Sequence, residues 1–357
     1  MALQFALEKR TRSAPHDRLL VLGAALVLAL AMGGLFLLAV EVNPLEAYPL
    51  LWQEVFLSPY GQQDLLIKVT PLLLTGIAVA VAAQMKQWNI GAEGQFHMGT
   101  FLVTWVALNI TLESSVALLI LMAFAGMLGG GVWGAIPGWL KARLGVNEII
   151  TSLLLNYVAA SWIDHLLFGP WKDPGSNNFP ITPEFPEAAQ FPYLGETNVH
   201  AGIVMALCVI LIVAWVLQKT KLGFTVQLTG DNPDAARYSG VKTRTLVLLV
   251  FVASGAIAGL AGFNELAGIH YRLQQDISIG YGYTGIIVAW LARNHPLGII
   301  PSALFLASIF VSAEVLQIDY GLPISMVFLF QGVILFTVLG SEIFTEYRLR
   351  VRRIAAA

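Results

Sequence analysis

The residues best placed for chemistry lie in one nine-residue segment, Gln87-Trp88-Asn89-Ile90-Gly91-Ala92-Glu93-Gly94-Gln95. Three carboxamides, one carboxylate and two glycines sit there between two apolar runs. A helix interior in an apolar setting avoids such groups, because backbone freed by glycine must find partners inside protein or in a wet cavity. The segment therefore belongs to a bundle interior or its mouth. Glu93, near a helix start, is read either as a local cap or as part of a polar pathway. A second set of polar residues is strung through apolar sequence. Ser152 and Asn156, four apart, share a helix face, where hydrogen bonding between helices is favoured over solute contact. Asn264 and Glu265 end another apolar run, and Glu265 could pair with Arg272. Tyr281, Tyr283 and Trp290 could stack on a flat ring or anchor at a membrane interface. These types suit the binding of a polar solute rather than catalysis. No paired carboxylates, histidine cluster or nucleophile–base spacing falls within the apolar runs. His97 and His295 stand apart from other ligand types, so no metal site is expected. Cys208, the single cysteine, lies in an apolar run and reads as packing.

The elements that position these residues follow from composition. Of 357 residues, 57% are hydrophobic and 12% charged, with a mean hydropathy of +0.72. A water-soluble domain carries about 25% charged residues, so this chain lacks the polar surface water would need. Runs of spanning length occur at Leu19–Val40, Leu65–Gln84, Ser115–Leu140, Glu148–Phe168, Ala201–Gln218, Leu246–Gly268, Leu297–Val315 and Leu322–Gly340. Two shorter, polar-flanked runs, Gln95–Ile110 and Tyr283–Ala292, complete an expected ten crossings. The first run, about 33 Å of helix, is too long for a signal core and reads as an uncleaved span.

Charge orients the spans. With the N-terminus in the cytoplasm, 17 of the 20 Lys and Arg residues fall on that side; only Lys68, Lys172 and Arg272 do not. The expectation is an all-α membrane protein with about ten transmembrane helices and both termini cytoplasmic. A cytoplasmic arm (1–18) precedes a single transmembrane domain (19–340), and a basic tail (341–357) follows it. Residues 42–64 and 169–199 lie outside. The first contains a short amphipathic stretch. The second, with six prolines, is a connector or a docking surface. The second to fifth and seventh to tenth crossings, each with a short glycine-rich helix second in order, suggest an inverted repeat of two four-helix units with interrupted helices.

The most basic cytoplasmic loop, 219–244, contains Gly230-Asp231-Asn232-Pro233-Asp234-Ala235-Ala236-Arg237-Tyr238-Ser239-Gly240. Asn232 is a good N-cap, Pro233 fits the first helical position, Asp234 complements the positive helix end, and Gly240 supplies a stop. A two-turn helix is too short to stand alone and needs a surface to pack on.

WNIGAEGQ, NEIITSLLLNY at 147–157, GDNPDAARYSGV at 230–241 and GYGYTGIIVAWLARNHPLGI at 280–299 occur in the order found in permeases of ATP-binding-cassette importers for nucleosides. The chain resembles that group, itself related to branched-chain amino acid and ribose permeases, from about residue 65 to 340. The resemblance implies a multi-pass inner-membrane subunit that binds no cofactor itself. It would work with a cytoplasmic ATPase carrying ATP and Mg, a second related permease (as a heterodimer) and an external solute-binding lipoprotein. It also implies that Asp231–Tyr238 and Gly240 couple to the ATPase. The family usually has apolar residues at Asn264 and Glu265, which leaves solute preference open there. The expected translocation pathway comprises Asn89, Glu93, Gln95, Ser152, Asn156, Asn264, Glu265, Tyr281 and Tyr283. No G-x-x-x-x-G-K-[ST] phosphate loop occurs, so ATP hydrolysis is expected on another chain. An ion-coupled carrier would keep charges deep in its spans and is disfavoured; a sugar or branched-chain amino acid permease is the nearer alternative.

Overall fold

The computed structural model describes the backbone of residues 2–9 and 15–354, with side chains from 23 to 340 except Val327 and Leu339. Arg10 and Arg12 of the expected arm, and residues 355–357 of the tail, lie outside the described residues.

Each expected span is a helix. In order they are α1 (Pro15–Ala39), α3 (Pro59–Ala83), α4 (Ala92–Asn109), α5 (Ser115–Leu144), α6 (Glu148–Phe168), α7 (Gly202–Lys219), α10 (Thr243–Glu265), α11 (Tyr281–Leu291), α12 (Ile299–Asp319) and α13 (Ile324–Glu346). Between them lie α2 (Pro44–Trp52), α8 (Lys221–Asp231) and α9 (Pro233–Tyr238). Among the described residues, six helical stretches are long and apolar enough to cross a membrane: Pro59–Ala83, Ser115–Leu144, Glu148–Phe168, Gly202–Lys219, Thr243–His270 and Pro296–Asp319. Gly23–Ala39, Tyr281–Leu291 and Ile324–Val338 are shorter apolar helices.

Helix ends follow local chemistry. Asn147 caps α6 by accepting from Ile149 N at 2.9 Å. Gly145, at φ +69°, ends α5 in the left-handed conformation that glycine adopts without strain.

The all-α expectation holds for the bundle, and one short ribbon accompanies it. Residues Ala2–Lys9 (β1) and Tyr347–Ile354 (β2) pair as an antiparallel ribbon, Ala2 opposite Ile354 and Lys9 opposite Tyr347. An isolated strand cannot satisfy its own amides. Pairing supplies partners, and both segments carry alternating apolar residues that the search for long apolar runs passes over.

The chain divides into two compact units, residues 63–307 and residues 1–62 with 308–357. In the second, α1 packs along α13, with Phe36 and Phe330 at 6.0 Å between ring centroids. Tyr48 of α2 donates its hydroxyl proton to Leu30 O.

The larger unit is built on α4, α5 and α10. Gly126, Gly130, Gly134 and Gly138 recur every fourth residue along α5, and Gly255 and Gly259 face them from α10. A Cβ on Gly259 would lie 2.0 Å from Gly126 O, and one on Gly130 would lie 2.1 Å from Gly255 O. The backbones therefore touch, as small-xxx-small stripes allow where lipid gives no hydrophobic drive. Helix α3 is central and mostly buried, whereas α6 and α7 are mostly unburied. Their outward faces carry Ile150, Leu154, Trp162, Leu211 and Trp215, all exposed. Such apolar stripes suit lipid.

Candidate functional site

The segment between α3 and α4 folds back into the larger unit. Asn89, 1% exposed, exchanges two hydrogen bonds with Gln95: Asn89 Nδ2 donates to Gln95 Oε1 at 2.8 Å, and Gln95 Nε2 donates to Asn89 Oδ1 at 3.0 Å. Asn89 Nδ2 also donates to Ser254 Oγ on α10 at 2.8 Å, and Ser254 donates to Ala78 O on α3 at 2.6 Å. Gly91 N donates to Asn89 Oδ1 at 3.0 Å. One carboxamide thus ties α3, α4 and α10 together and satisfies a backbone group left without a helical partner.

Asn156 of α6 does similar work on the other side of the segment. Its Oδ1 accepts from Gly94 N at 2.9 Å, while Nδ2 donates to Ile90 O at 2.9 Å and to Tyr283 Oη at 3.3 Å. Ser152, one turn earlier and fully buried, bonds Ile149 O at 3.3 Å and packs on Gly91, whose added Cβ would lie 2.9 Å from Ser152 Cβ.

Glu93, 6% exposed, occupies a distinctive position. Its Oε2 accepts from Gly282 N, in the first turn of α11, at 2.7 Å. A Cβ on Gly282 would lie 2.2 Å from Glu93 N, so the starts of α4 and α11 touch. Helix N-termini carry about half a positive charge each. Two of them converge here, and the Glu93 carboxyl lies between them. The sequence leaves a local cap and a pathway role open for Glu93; in the structure its carboxyl caps a helix 189 residues away. Position 280 of α11 is glycine at φ +87°, which offers no side-chain cap. His97 Nε2 lies 3.7 Å from Glu93 Oε1, and Tyr281 packs near Phe96 with centroids 6.4 Å apart.

Asn264 and Glu265 form a separate group at the end of α10. Both are buried, at 0% and 2% exposure. Glu265 Oε1 lies 3.5 Å from His270 Nε2, not against Arg272; Arg272 instead donates to Glu184 at 3.1 Å. The correction has a local cause. The helix widens into a π-turn over Leu266–His270 and ends at Tyr271 in a left-handed conformation, which carries the chain away before residue 272. Freed carbonyls of this turn accept from the 169–199 segment: Phe191 N to Ala267 O and Phe185 N to Tyr271 O, both at 2.7 Å. His200 stacks on Phe191 at 5.8 Å and packs against Gly202, beside Asn264. Burial pushes the His200 imidazole down to about 4.

On the basic face, α8 and α9 share Asn232. Its N–H closes α8 onto Leu228 O at 2.8 Å, while its Oδ1 caps α9 by accepting from Ala235 N at 3.0 Å. Pro233 opens α9 and Asp234 lies in its first turn. Val241 N to Ala236 O at 3.0 Å and Gly240 N to Arg237 O at 2.9 Å close it, with Gly240 at φ +83°. Ala236 is buried, while Tyr238 is 94% exposed. Asp231 pairs with Lys86 at 3.0 Å, and Arg237 lies 3.8 Å from Asp234. Gly230 packs on Gln84 O at the end of α3. The rod is thus fixed at its base and presents its tip. Helix α8 escaped the sequence reading because its apolar content is low; Thr220 as its N-cap was the available signal.

Ser254 and His200 were also missed. A serine within the glycine stripe Ser254-Gly255-Ala256-Ile257-Ala258-Gly259 was a readable hint of a helix contact. Nothing near His200 distinguished it.

This arrangement, a glycine-packed helical bundle with buried carboxamides and two helix starts meeting at its interior, defines a membrane permease subunit. Residues 63–339 match the family described as branched-chain amino acid transport system / permease component, and the chain belongs to it. It is 39% identical to a glucose ABC transporter permease protein of Haloferax volcanii, over 90% of this chain and 87% of that one. It is 31% identical to a guanosine ABC transporter permease protein of Bacillus subtilis, over 91% and 94%. It is 29% identical to a nucleoside ABC transporter permease protein of Lactococcus lactis, over 87% and 88%. The chain is therefore a multi-pass permease subunit of an ATP-binding-cassette transporter.

Proposed function

We propose that this subunit forms the import pathway for an uncharged, sugar-bearing solute, a nucleoside in the first instance. The meeting of two helix N-termini on Glu93 carries this reading. That positive focus would otherwise attract an anion, and Glu93 already occupies it. A neutral solute able to replace the hydrogen bonds that Asn89, Gln95, Asn156 and Tyr283 make within the protein suits this interior better than a phosphate or carboxylate would. Asn264 and Glu265 form a second polar station near the expected outer end. The guanosine and nucleoside relatives support the nucleoside. The glucose relative, at higher identity, favours a second reading in which the solute is a monosaccharide. Both share the polyhydroxylated ring.

In this proposal the chain crosses a bacterial plasma membrane ten times, as an inverted repeat with both ends in the cytoplasm. It pairs with a second, related permease, receives solute from an external lipoprotein, and binds no ATP itself. Helix α9 seats in a separate ATPase. Closure of the ATPase domains moves α9, α8 follows through Asn232, and the contact between α8 and the end of α3 passes the motion to the bundle. Exposure of the polar interior then switches sides.

Competition against labelled guanosine, in vesicles holding the complete transporter and ATP, tests the solute. Unlabelled nucleosides should compete and nucleoside monophosphates should not. Inhibition by glucose alone would favour the sugar, and inhibition by monophosphates would overturn the uncharged-solute reading.

A further inference from the structure

On the face that carries α9, the ends of α3, α5 and α8 and the start of α10 enclose an open cleft of about 1020 Å³. Its wall is partly apolar, with Trp139 on α5 and Val247 and Leu248 on α10. Six cations line it. Three have acidic partners: Lys86 with Asp231, Lys141 with Glu148 at 2.7 Å, and Arg237 with Asp234. Arg143, Lys242 and Arg244, all exposed, pair with no carboxylate among the described residues.

Helix stability accounts for only one of these three. Arg143 lies in the last turn of α5, where a cation complements the negative helix end. Lys242 and Arg244 flank the start of α10, where the helix end is positive and cations are disfavoured; no side-chain cap relieves it. Depth adds a further constraint. Trp139 lies five residues before the end of α5, about 7 Å along the axis, and Val247 and Leu248 lie as far into α10. The cleft therefore has a charged rim and an apolar, tryptophan-bearing floor at the depth where aromatic residues anchor in a membrane interface.

We propose that this cleft binds an anionic phospholipid, its headgroup phosphate held by Lys242, Arg244 and Arg143 and its upper acyl chain lying along Trp139, Val247 and Leu248. Basic pockets between membrane helices on the cytoplasmic side suit such headgroups. An acidic protein segment would match the charge but would leave the apolar floor unused. A bound lipid would sit beside Pro233 and Arg237, so it would brace α9 against the bundle. This site is independent of which solute is carried.

The test uses the complete transporter, delipidated in a non-ionic detergent and titrated with phosphatidylglycerol, phosphatidylcholine or inorganic phosphate under native mass spectrometry. Phosphatidylglycerol should bind in preference to phosphatidylcholine. The double substitution Lys242→Gln/Arg244→Gln should weaken that binding on the order of tenfold, while the charge-keeping Lys242→Arg/Arg244→Lys should not. If the neutral double variant fails to assemble, Arg244→Gln alone should give a smaller loss of the same sign. Undiminished phosphatidylglycerol binding in the neutral variants would overturn the proposal. So would displacement of the lipid by equimolar phosphate, which would indicate a soluble anion. Loss of the ATPase with lipid binding intact would also overturn it, by making an acidic protein segment the occupant.

Discussion

Asn156 satisfies Gly94 N and Ile90 O from a neighbouring helix, and both groups are orphaned if its side chain is removed. Asn156→Ala should cost about 1–3 kcal/mol per unsatisfied group, measured as a drop in melting temperature of the purified subunit. Glu93→Gln keeps an acceptor for Gly282 N but can carry no charge between the two positive helix ends. It should therefore lower stability by less than Glu93→Ala, yet let anionic analogues of the solute enter competition assays. A variant as selective as the parent would separate Glu93 from selectivity. His200 makes stability depend on acid. Its folded value, about 4, lies below the ordinary 6.5, so the folded state binds fewer protons than the unfolded one between those values. Stability contributed by neutral His200 is present above about pH 6.5 and falls as pH drops toward 4. Melting curves across that range should flatten in His200→Gln. At this scale the sequence was informative where a polar residue broke an apolar run, as at Asn89, Gln95 and Asn156. Their partners lie up to 165 residues away, and no spacing rule reaches that far. The misassigned partner of Glu265 came from the same gap, because a π-turn changes direction without a distinctive residue pattern.

Among the elements, α9 and the glycine stripe carry the clearest predictions. Asn232 ends one helix and caps the next, so Asn232→Ala should cost about 1 kcal/mol of local stability and loosen α9 from α8. Replacing Arg237, or disrupting Pro233–Ala236, should leave membrane insertion intact while ATP hydrolysis continues without matching uptake. Normal coupling in such variants would remove α9 from the drive train. In the stripe, neighbouring glycines provide an internal control. A Cβ on Gly130 would meet backbone at 2.1 Å, whereas one on Gly131 meets its nearest atom at 3.4 Å. Gly130→Ala should therefore destabilise the bundle strongly, and Gly131→Ala should be tolerated in the same thermal assay. Long apolar helices were readable because twenty consecutive apolar residues have few other uses. The capped rod at 232–240 was readable because cap chemistry is local. The ribbon β1–β2 was not, since each strand is stable only through the other and they are separated by nearly the whole chain.

For the molecule as a whole, the exposed apolar faces of α6 and α7, the glycine-packed core and the family match on 63–339 agree on a membrane permease subunit. Composition announced the membrane, and four ordered motifs announced the family. The cargo was less legible, because nucleosides and glucose both carry hydroxyl-rich rings. In the proposed function this bundle moves its solute only when a partner hydrolyses ATP and α9 transmits that work. Vesicles containing the complete transporter, and vesicles containing this chain with its permease partner but no ATPase, should be compared for accumulation of labelled nucleoside against a gradient. Uptake should be concentrative and ATP-dependent in the first and reach equilibration at most in the second. Uphill accumulation without the ATPase, driven by an ion gradient, would contradict it.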